Sequence, residues 1–357
     1  MTIQDTARPT TTPEPLRPVH GEMFTDHMVS ITYSPEAGWS RPQLRLREDL
    51  AMNPAMIGLH YGQVVFEGLK AYRQADDGLA IFRPRMHAAR FQRSSARLAM
   101  PELPEELFLR AAEQVVAADA NWLSDDPELS MYLRPLLYGT DASLALRPSR
   151  EYQFLMMAFI TGAFFGAGVK PVKVWINHDY PRAAPGGTGD VKCAANYGPA
   201  FRAQLAAEDA GCDQVVWLDA VEKRWIEEMG GMNLFFVRGT GRDATVVSPQ
   251  LTGTLLPGVT RNTLLSLAER LGYTPREERI ALDQLRAEAA AGVITEMFAC
   301  GTAAVVTPVG EVHDRLGGDF SVNGGAAGPV TLALRTALTD LHHGAAADPE
   351  GWLHRVK

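Results

Sequence analysis

Short apolar runs alternate with longer helical patterns along the chain from about residue 28 onward. The runs at 64–66, 79–82 and 152–160 predict strands, because each is short, apolar and bounded by turn-forming or polar residues. Residues 84–98 predict a helix. We therefore expect the first half of the chain to form a mixed α/β domain.

The second half of the chain shows the same alternation. Four further strands are predicted, at 172–176, 214–218, 234–237 and 293–298. Residues 259–271 place apolar side chains on one helical face, and Gly272 follows where a C-terminal cap belongs. The predicted fold class is therefore α/β (α+β).

Length and composition divide this pattern into two domains. A chain of 357 residues with 46% hydrophobic residues exceeds one modest core. Six glycines fall between 162 and 189, which is typical of a connection between domains. We predict a flexible tail at 1–18, which is rich in Thr and Pro and poor in apolar residues. A smaller α/β domain then spans 19–165, a connection 166–184, and a larger α/β domain 185–357.

Charge, cysteine usage and hydropathy exclude several classes of protein. The net charge is −8 and no basic stripe is present, so a nucleic-acid partner is not expected. The three cysteines are far apart and lack Cys-x-x-Cys spacing, which argues against a disulfide framework or a zinc site. No apolar run approaches the roughly 18 residues of a membrane span, and no secretion signal opens the chain. We expect a cytoplasmic protein without a membrane partner.

Lys192 stands out among the charged residues. Only six of the 34 basic residues are lysines, and this one precedes the small residues Cys193-Ala-Ala-Asn-Tyr197. A desolvated lysine loses its proton readily, and only the neutral amine attacks an aldehyde carbon. By itself the position also fits a surface lysine beside a loop. It is not a phosphate loop, because the Gly-Lys-Ser/Thr ending is missing.

Three glycine turns could serve such a lysine. Residues 257–260 open the predicted helix, so that free N–H groups and the helix dipole could hold a phosphate. Residues 301–303 follow a strand and could direct N–H groups and a hydroxyl at an anion. Residues 227–233 place a carboxylate beside a turn between two strands. Each also fits an ordinary cap, turn or solvated acid.

Seven motifs occur in order: His60-Tyr-Gly-Gln-Val-Val-Phe-Glu-Gly-Leu-Lys-Ala-Tyr72, Tyr132-Leu-Arg-Pro135, Gly186-Gly-Thr-Gly-Asp-Val-Lys192, Asn196-Tyr197, Glu228 to Asn233, Leu256-Pro-Gly-Val-Thr-Arg261 and Cys300-Gly-Thr-Ala303. Together they resemble the branched-chain amino acid aminotransferases, which belong to the fold-type IV pyridoxal-phosphate (PLP) enzymes. The resemblance implies two α/β domains, a cofactor at their interface and a homodimer. It also implies transamination between leucine, isoleucine or valine and 2-oxoglutarate.

The resemblance assigns Lys192 two tasks: binding PLP covalently and moving a proton during the reaction. It implies that Glu228 partners the pyridine nitrogen and preserves the electron-sink character of the ring. Tyr197 would donate to the phenolic oxygen of the ring.

The phosphate group of PLP would lie at other matched positions. Arg90 corresponds to the phosphate-binding arginine of the family. Backbone amides of Val259 and Thr260 and the hydroxyl of Thr302 complete this part of the implied site.

The implied substrate site has a polar and an apolar part. Amides of Gly301, Thr302 and Ala303 and the hydroxyl of Tyr132 would bind the α-carboxylate. A second set of residues would contact the side chain of the substrate: Tyr61 and Phe66 as apolar walls, and Arg134 for the second carboxylate of glutamate.

Alternatives remain open at this stage. Ala194 and Ala195 replace a Gly-Gly pair usual in the family, and Phe164 stands where a tyrosine often lines the pocket, so a specialised transaminase for an unusual amino acid is possible. A D-amino acid aminotransferase or an aminodeoxychorismate lyase-like enzyme shares the fold, but residues 66–70 and the Tyr132/Arg134 pair favour the branched-chain group. A non-catalytic binding protein is disfavoured because Lys192 is retained together with Glu228 and Arg90.

Overall fold

The computed structural model describes residues 18–162, 164 and 168–356. All of the predicted tail except Pro18 lies outside these residues. Within them, two β-sheets of nine strands each form the framework.

The first half of the chain contributes eight strands to the first sheet. These are β1 (Met23–Ser34), β2 (Gly38–Trp39), β3 (Gln43–Leu46), β4 (Val64–Phe66), β5 (Leu69–Arg73), β6 (Leu79–Phe82), β7 (Ser130–Gly139) and β8 (Tyr152–Thr161). Every pairing among them is antiparallel. In β7 and β8 most side chains are buried on both faces, as helices and loops cover both sides.

The second sheet follows along the chain. Its strands are β9 (Val172–Asn177), β10 (Gln214–Leu218), β11 (Ile226–Met229), β12 (Met232–Arg238), β13 (Thr245–Pro249), β14 (Thr274–Glu278), β15 (Ile294–Gly301), β16 (Val305–His313) and β17 (Phe320–Ser321). Strand β11 pairs with both β10 and β12, which closes β11-β10-β9-β16-β15-β12 into a ring. A final strand, β18 (Leu353–Val356), returns to the first sheet and pairs with β6.

Helices cover both sheets. Those of the described residues are α1 (Ile57–Tyr61), α2 (Pro84–Arg97), α3 (Glu105–Ala118), α4 (Phe201–Asp209), α5 (Val259–Arg270), α6 (Leu282–Ala290) and α7 (Pro329–His342). Helix α2 starts sharply because Arg83 adopts a left-handed conformation and Pro84 pre-sets the helical φ at the first position. Gly272, at φ +84°, ends the turn after α5 as its position predicts.

Three large apolar clusters hold these layers together. Helices α2 and α3 pack on the first sheet around Phe91, Phe108 and Phe154. A second cluster fills the ring of strands. The third joins the two halves, because Tyr72 and Phe82 of the first sheet pack with residues of the second sheet, α5 and α7. This shared core fixes the edge along which the candidate site forms.

The predicted elements at 64–66, 79–82, 84–98, 152–160, 172–176, 214–218, 234–237, 259–271 and 293–298 are all present, with ends that differ by a few residues. The predicted domain boundaries need correction in two places. Strand β9 lies inside the expected connection 166–184, yet it pairs with β10 and β16 in the second sheet. Strand β18 lies inside the expected larger domain but completes the first sheet. Backbone pairing with strands that are distant along the chain leaves no local signal in these sequences.

None of the helices in the described ranges is both long and apolar enough to cross a membrane.

Candidate active site

A pocket of about 230 Å³ lies between the two sheets. Nine of the residues predicted for the site line it: Arg90, Tyr132, Lys192, Tyr197, Val259, Thr260, Gly301, Thr302 and Ala303. These residues are separated by more than 200 positions in the chain. The packing of the first sheet against the second brings them together.

Lys192 is held at the pocket by its own backbone. Its N–H donates to the hydroxyl of Ser94 on α2 at 2.9 Å, and its carbonyl accepts from the N–H of Phe66 at 3.1 Å. Its ammonium Nζ lies 2.8 Å from the hydroxyl of Tyr197. The small residues after Lys192 form a short 3-10 helix that turns Tyr197 back toward this amine. The arrangement presents one amine and one phenol to the same space.

Arg90 is fixed by an ion pair that the sequence did not predict. Its Nε and Nη2 donate to the two carboxylate oxygens of Glu67 at 2.6 and 2.8 Å. His87 contacts the same carboxylate at 2.8 Å, and all three side chains are buried. Burial alone would raise the pKa of Glu67, but Arg90 and His87 outweigh burial and hold that pKa well below its usual range. Arg90 therefore has a fixed orientation at the pocket wall.

Glu228 lies behind the pocket wall, in contact with two residues that line it. Its carboxylate accepts from the N–H of Leu256 at 2.5 Å and from the amide of Asn233 at 3.3 Å. Arg182 Nε lies 2.9 Å from the other oxygen. Burial raises the pKa of Glu228, and Arg182 opposes this increase. The result is a buried acid whose proton affinity is higher than that of an exposed carboxylate.

The N-terminus of α5 forms one end of the pocket. Gly258 is its N-cap residue. The backbone N–H groups of Val259 and Thr260, which follow, have no hydrogen-bond acceptor within the same helix. A Cβ at position 258 would lie 1.9 Å from the side-chain oxygen of Asn233, so only glycine fits here. With Arg90 nearby, this end of the pocket suits an anion.

The turn between β15 and β16 forms the opposite wall. Residues 302–304 make the turn, and Val305 closes it at φ +59°, a conformation that is rare for a β-branched residue. Such a residue costs on the order of 1–3 kcal/mol and needs support from its surroundings. Lys70 provides part of this support, because its ammonium donates to the carbonyl of Ala303 at 3.2 Å.

Tyr132 reaches the pocket across a glycine. A Cβ at Gly68 would lie 1.7 Å from the hydroxyl of Tyr132, so any larger residue would displace this phenol. The ring of Tyr132 stacks on Phe159 of the adjacent strand with centroids 4.8 Å apart. These contacts give the hydroxyl one defined position.

Two further predicted residues border the pocket. The ring of Phe66 contacts Tyr197 with centroids 4.8 Å apart, and Lys192 Nζ lies 4.8 Å from its centre. The guanidinium of Arg134 lies between the rings of Phe66 and Tyr132, at 5.1 and 5.5 Å from their centres. Phe66 therefore lies close to the amine, and Arg134 lies next to Phe66.

Tyr61 does not line the pocket within the single chain, and its predicted role stays a prediction. Tyr61 ends α1 on the surface, where 45% of it is exposed and its hydroxyl donates to the carbonyl of Leu144 at 2.7 Å. The motif places Tyr61 only five residues before Phe66, but α1 ends at Gly62 in a left-handed turn that directs the two rings apart.

The departures from the family pattern also have defined positions. Ala194 is half-buried, Ala195 is exposed, and neither is among the residues that line the pocket. Neither has a positive φ. Phe164 does line the pocket and contacts the ring of His20 with centroids 5.2 Å apart. Of these three departures, only Phe164 lines the pocket.

Four residues of the site escaped prediction: Glu67, Lys70, His87 and Arg182. Glu67 and Lys70 both lie in the motif that begins at His60, each next to apolar residues in or beside a strand. A charge among apolar strand residues is the signal that could have identified them. His87 and Arg182 carried no such signal.

Comparisons with known proteins agree with this geometry. Residues 64–312 match the model of the amino-transferase class IV family. The branched-chain-amino-acid aminotransferase of Mycolicibacterium smegmatis is 50% identical over 342 residues, which cover 95% of this chain and 92% of that protein.

Solved structures of such enzymes share the fold. The branched-chain amino acid aminotransferase of Escherichia coli superposes with a TM-score of 0.76 at 27% identity, covering 93% of this chain and all of that chain. The T.th. branched-chain amino acid aminotransferase, solved with pyridoxamine 5'-phosphate, gives a TM-score of 0.73 at 28% identity, covering 92% and 99%.

The family indicated by the seven motifs and the mixed α/β fold are both confirmed. The chain belongs to the class IV aminotransferases and, within them, to the branched-chain-amino-acid aminotransferases.

Proposed function

We propose that this protein uses PLP to transfer amino groups between branched-chain L-amino acids (leucine, isoleucine and valine) and 2-oxoglutarate. The observation that carries the proposal is the placement of Lys192 Nζ beside the Tyr197 hydroxyl in a pocket with an anion-binding end. The names of the relatives and the cofactor form in the T.th. structure support the substrate class and the cofactor.

The pocket residues fit PLP in chemistry and arrangement. Arg90, the first amides of α5 and the Thr302 hydroxyl would hold its phosphate, at the end where Gly258 leaves room. Tyr197 would donate to the ring oxygen. When bound, PLP supplies an aldehyde that receives the amino group and a ring that withdraws electrons from the substrate Cα.

The protein residues would then manage binding and protons. Lys192, once released by the substrate, would take the proton from the substrate Cα and return it on the cofactor side. The Tyr197 hydroxyl, 2.8 Å away, would orient the amine for this transfer. Glu228 would hold a proton on the ring nitrogen, a task that suits a buried carboxyl group with a raised pKa.

Substrate recognition would use the opposite wall. Amides of the turn 301–303 and the Tyr132 hydroxyl would bind the α-carboxylate, and Phe66 would contact an aliphatic side chain. Arg134 would bind the second carboxylate when glutamate is the donor. Because Arg134 packs against two aromatic rings, these rings can stabilise its charge when the apolar side chain of a substrate enters the pocket.

We also propose that the protein is a homodimer. Leu59, Tyr61, Leu144 and Leu146 are exposed by 45 to 89%, and the Tyr61–Leu144 hydrogen bond joins the two segments that carry them. Exposed apolar side chains in one patch are typical of an interface. A second copy of the chain would cover them.

A panel of amino donors and 2-oxo acceptors tests the proposed activity. The purified holoprotein should transaminate leucine, isoleucine and valine with 2-oxoglutarate, and D-amino acids should give no turnover. Because neither alanine after Lys192 lines the pocket, no specialised preference is expected from them. Turnover confined to D-amino acids, or none with the three branched-chain substrates, would contradict the proposal.

Replacing Glu228 by glutamine should slow transamination by about 10²-fold while leaving PLP bound, because the amide cannot stabilise the ring proton. Turnover and bound PLP are measured on the same sample. The matched control is Glu227→Gln, since Glu227 is also buried but bonds Thr254 instead. Near-normal turnover of Glu228→Gln would remove this residue from the mechanism.

A further inference from the structure

A second cavity lies behind the turn between β15 and β16. It has a volume of about 530 Å³ and is lined by that turn, by β5 and by α7. We call it the hairpin cavity. It shares Phe164, Ala303 and Ala304 with the active-site pocket, so the two spaces adjoin each other.

Of the three cationic side chains that line the hairpin cavity, Lys170 is exposed, whereas Lys70 and Arg335 are at least partly buried. Lys70 is only 4% exposed, and Arg335 is half-buried. Within the described residues, neither has a carboxylate oxygen within 4.0 Å. A buried charge without a partner is unfavourable, and two cations that face each other add repulsion. Some anion is therefore expected to neutralise them.

Each cation has hydrogen-bond donors to spare. Lys70 uses one of its three N–H groups on the carbonyl of Ala303, and Arg335 donates from Nη1 to the carbonyl of Val306 at 2.7 Å. Support of the turn alone requires one hydrogen-bond donor at each of these two positions, and uncharged side chains could supply them. The remaining N–H groups can bind a carboxylate.

Other residues of the cavity define the rest of the ligand. Leu129, Val306 and Pro308 provide an apolar surface beside the cations. The acids that line the cavity, Glu128 and Asp340, are both exposed, and Glu128 partly offsets the lowering of the Arg335 pKa by burial. A molecule with one carboxylate and a short aliphatic chain matches this distribution.

We propose that the hairpin cavity is a second binding site for aliphatic carboxylic acids, with the carboxylate held by Lys70 and Arg335. The ligand class is that of the 2-oxo acids in the proposed reaction, so the inference rests in part on the proposed function. An acid bound there lies directly behind the turn that would bind the substrate carboxylate, and its single negative charge offsets one of the two positive charges.

Calorimetric titration of the holoprotein with 4-methylvalerate tests the site. This acid has neither an amino nor an oxo group, so binding is measured without turnover. Lys70→Met and Arg335→Gln should each weaken one site by about 10- to 100-fold, as expected for the loss of a charged hydrogen bond. Lys70→Arg and Arg335→Lys keep the positive charge and should retain the affinity of that site. If the Met and Gln variants bind as much acid as the wild type, the proposal fails.

The pH dependence of binding provides a measurement on the unmodified protein. Burial and the nearby Arg335 lower the pKa of Lys70 to about 7. Acid binding requires the protonated amine, so affinity should be highest below pH 7 and fall above it, by up to about tenfold per pH unit. Affinity that stays constant from pH 6 to 9 would contradict the role of Lys70, even if the variants fail to fold.

The other titratable groups around Lys70 do not explain such a profile. Burial lowers the pKa of His20 to about 4 and that of His342 well below its usual range, and it raises the pKa of Tyr72. His343 and Lys170 also line the cavity. His343→Gln is therefore the control variant and should keep the fall above pH 7.

The binding test and the activity test are independent. Lack of transamination would overturn the proposed function but would leave the acid-binding site whose affinity depends on Lys70 and Arg335. Conversely, normal transamination together with acid binding that does not change in the Lys70 and Arg335 variants would contradict only the proposed second site.

Discussion

Replacing Lys192 by alanine should reduce transamination by at least about 10³-fold, because one side chain would serve as both the attachment point of PLP and the proton carrier. The loss is measured as kcat with leucine and 2-oxoglutarate under saturating PLP. Lys173→Ala is the matched control: Lys173 lies on β9, where its ammonium is 3.8 Å from Glu311, and it does not line the pocket. That variant should retain normal turnover.

Chemical labelling identifies the attachment point directly. Borohydride reduction of the holoprotein followed by peptide mapping should place the pyridoxyl group on Lys192. A label on Lys170 or Lys173 would contradict the assignment, and so would substantial turnover of Lys192→Ala.

Replacing Glu67 by glutamine should lower the free energy of unfolding by about 3–5 kcal/mol, because the buried Arg90 would lose its counter-ion. The measurement is urea unfolding of the apoprotein. The matched control is Glu48→Gln, since Glu48 pairs with Arg45 on the surface, where such a pair contributes about 0–1 kcal/mol. Equal losses for the two variants would show that the buried pair does not stabilise the fold.

The pH dependence of the stabilisation by Glu67 follows from the direction in which folding shifts its pKa. The folded protein holds the pKa of Glu67 below the value of an unfolded chain. The stabilisation is therefore present above the unfolded pKa of roughly 4.3 and is lost as the pH falls below it. A double variant, Glu67→Gln with Arg90→Met, should recover part of the stability, because it removes the unpaired charge as well.

Local patterns in the sequence predicted most of the elements, and the resemblance of seven motifs to one family singled out Lys192 as the candidate reactive lysine. The strands at 64–66 and 214–218 are recognisable because short apolar runs have few other stable conformations. Helix α5 is recognisable because its apolar spacing and the following Gly272 act within one or two turns. The local setting of Lys192 also fits a surface lysine, so this residue is recognisable only from its place in the Gly186–Lys192 motif.

Only the tertiary structure decided which distant side chains meet. Arg90 pairs with Glu67, and Glu228 with Arg182, because α2, β11 and the segment before Lys192 converge where the sheets pack. Tyr61 faces the surface although its motif suggested the pocket, because the left-handed turn at Gly62 follows it. The cations of the hairpin cavity come from strand β5 and helix α7, which are about 265 positions apart. Such contacts depend on the relative position of whole elements, and the local sequence carries no information about that position.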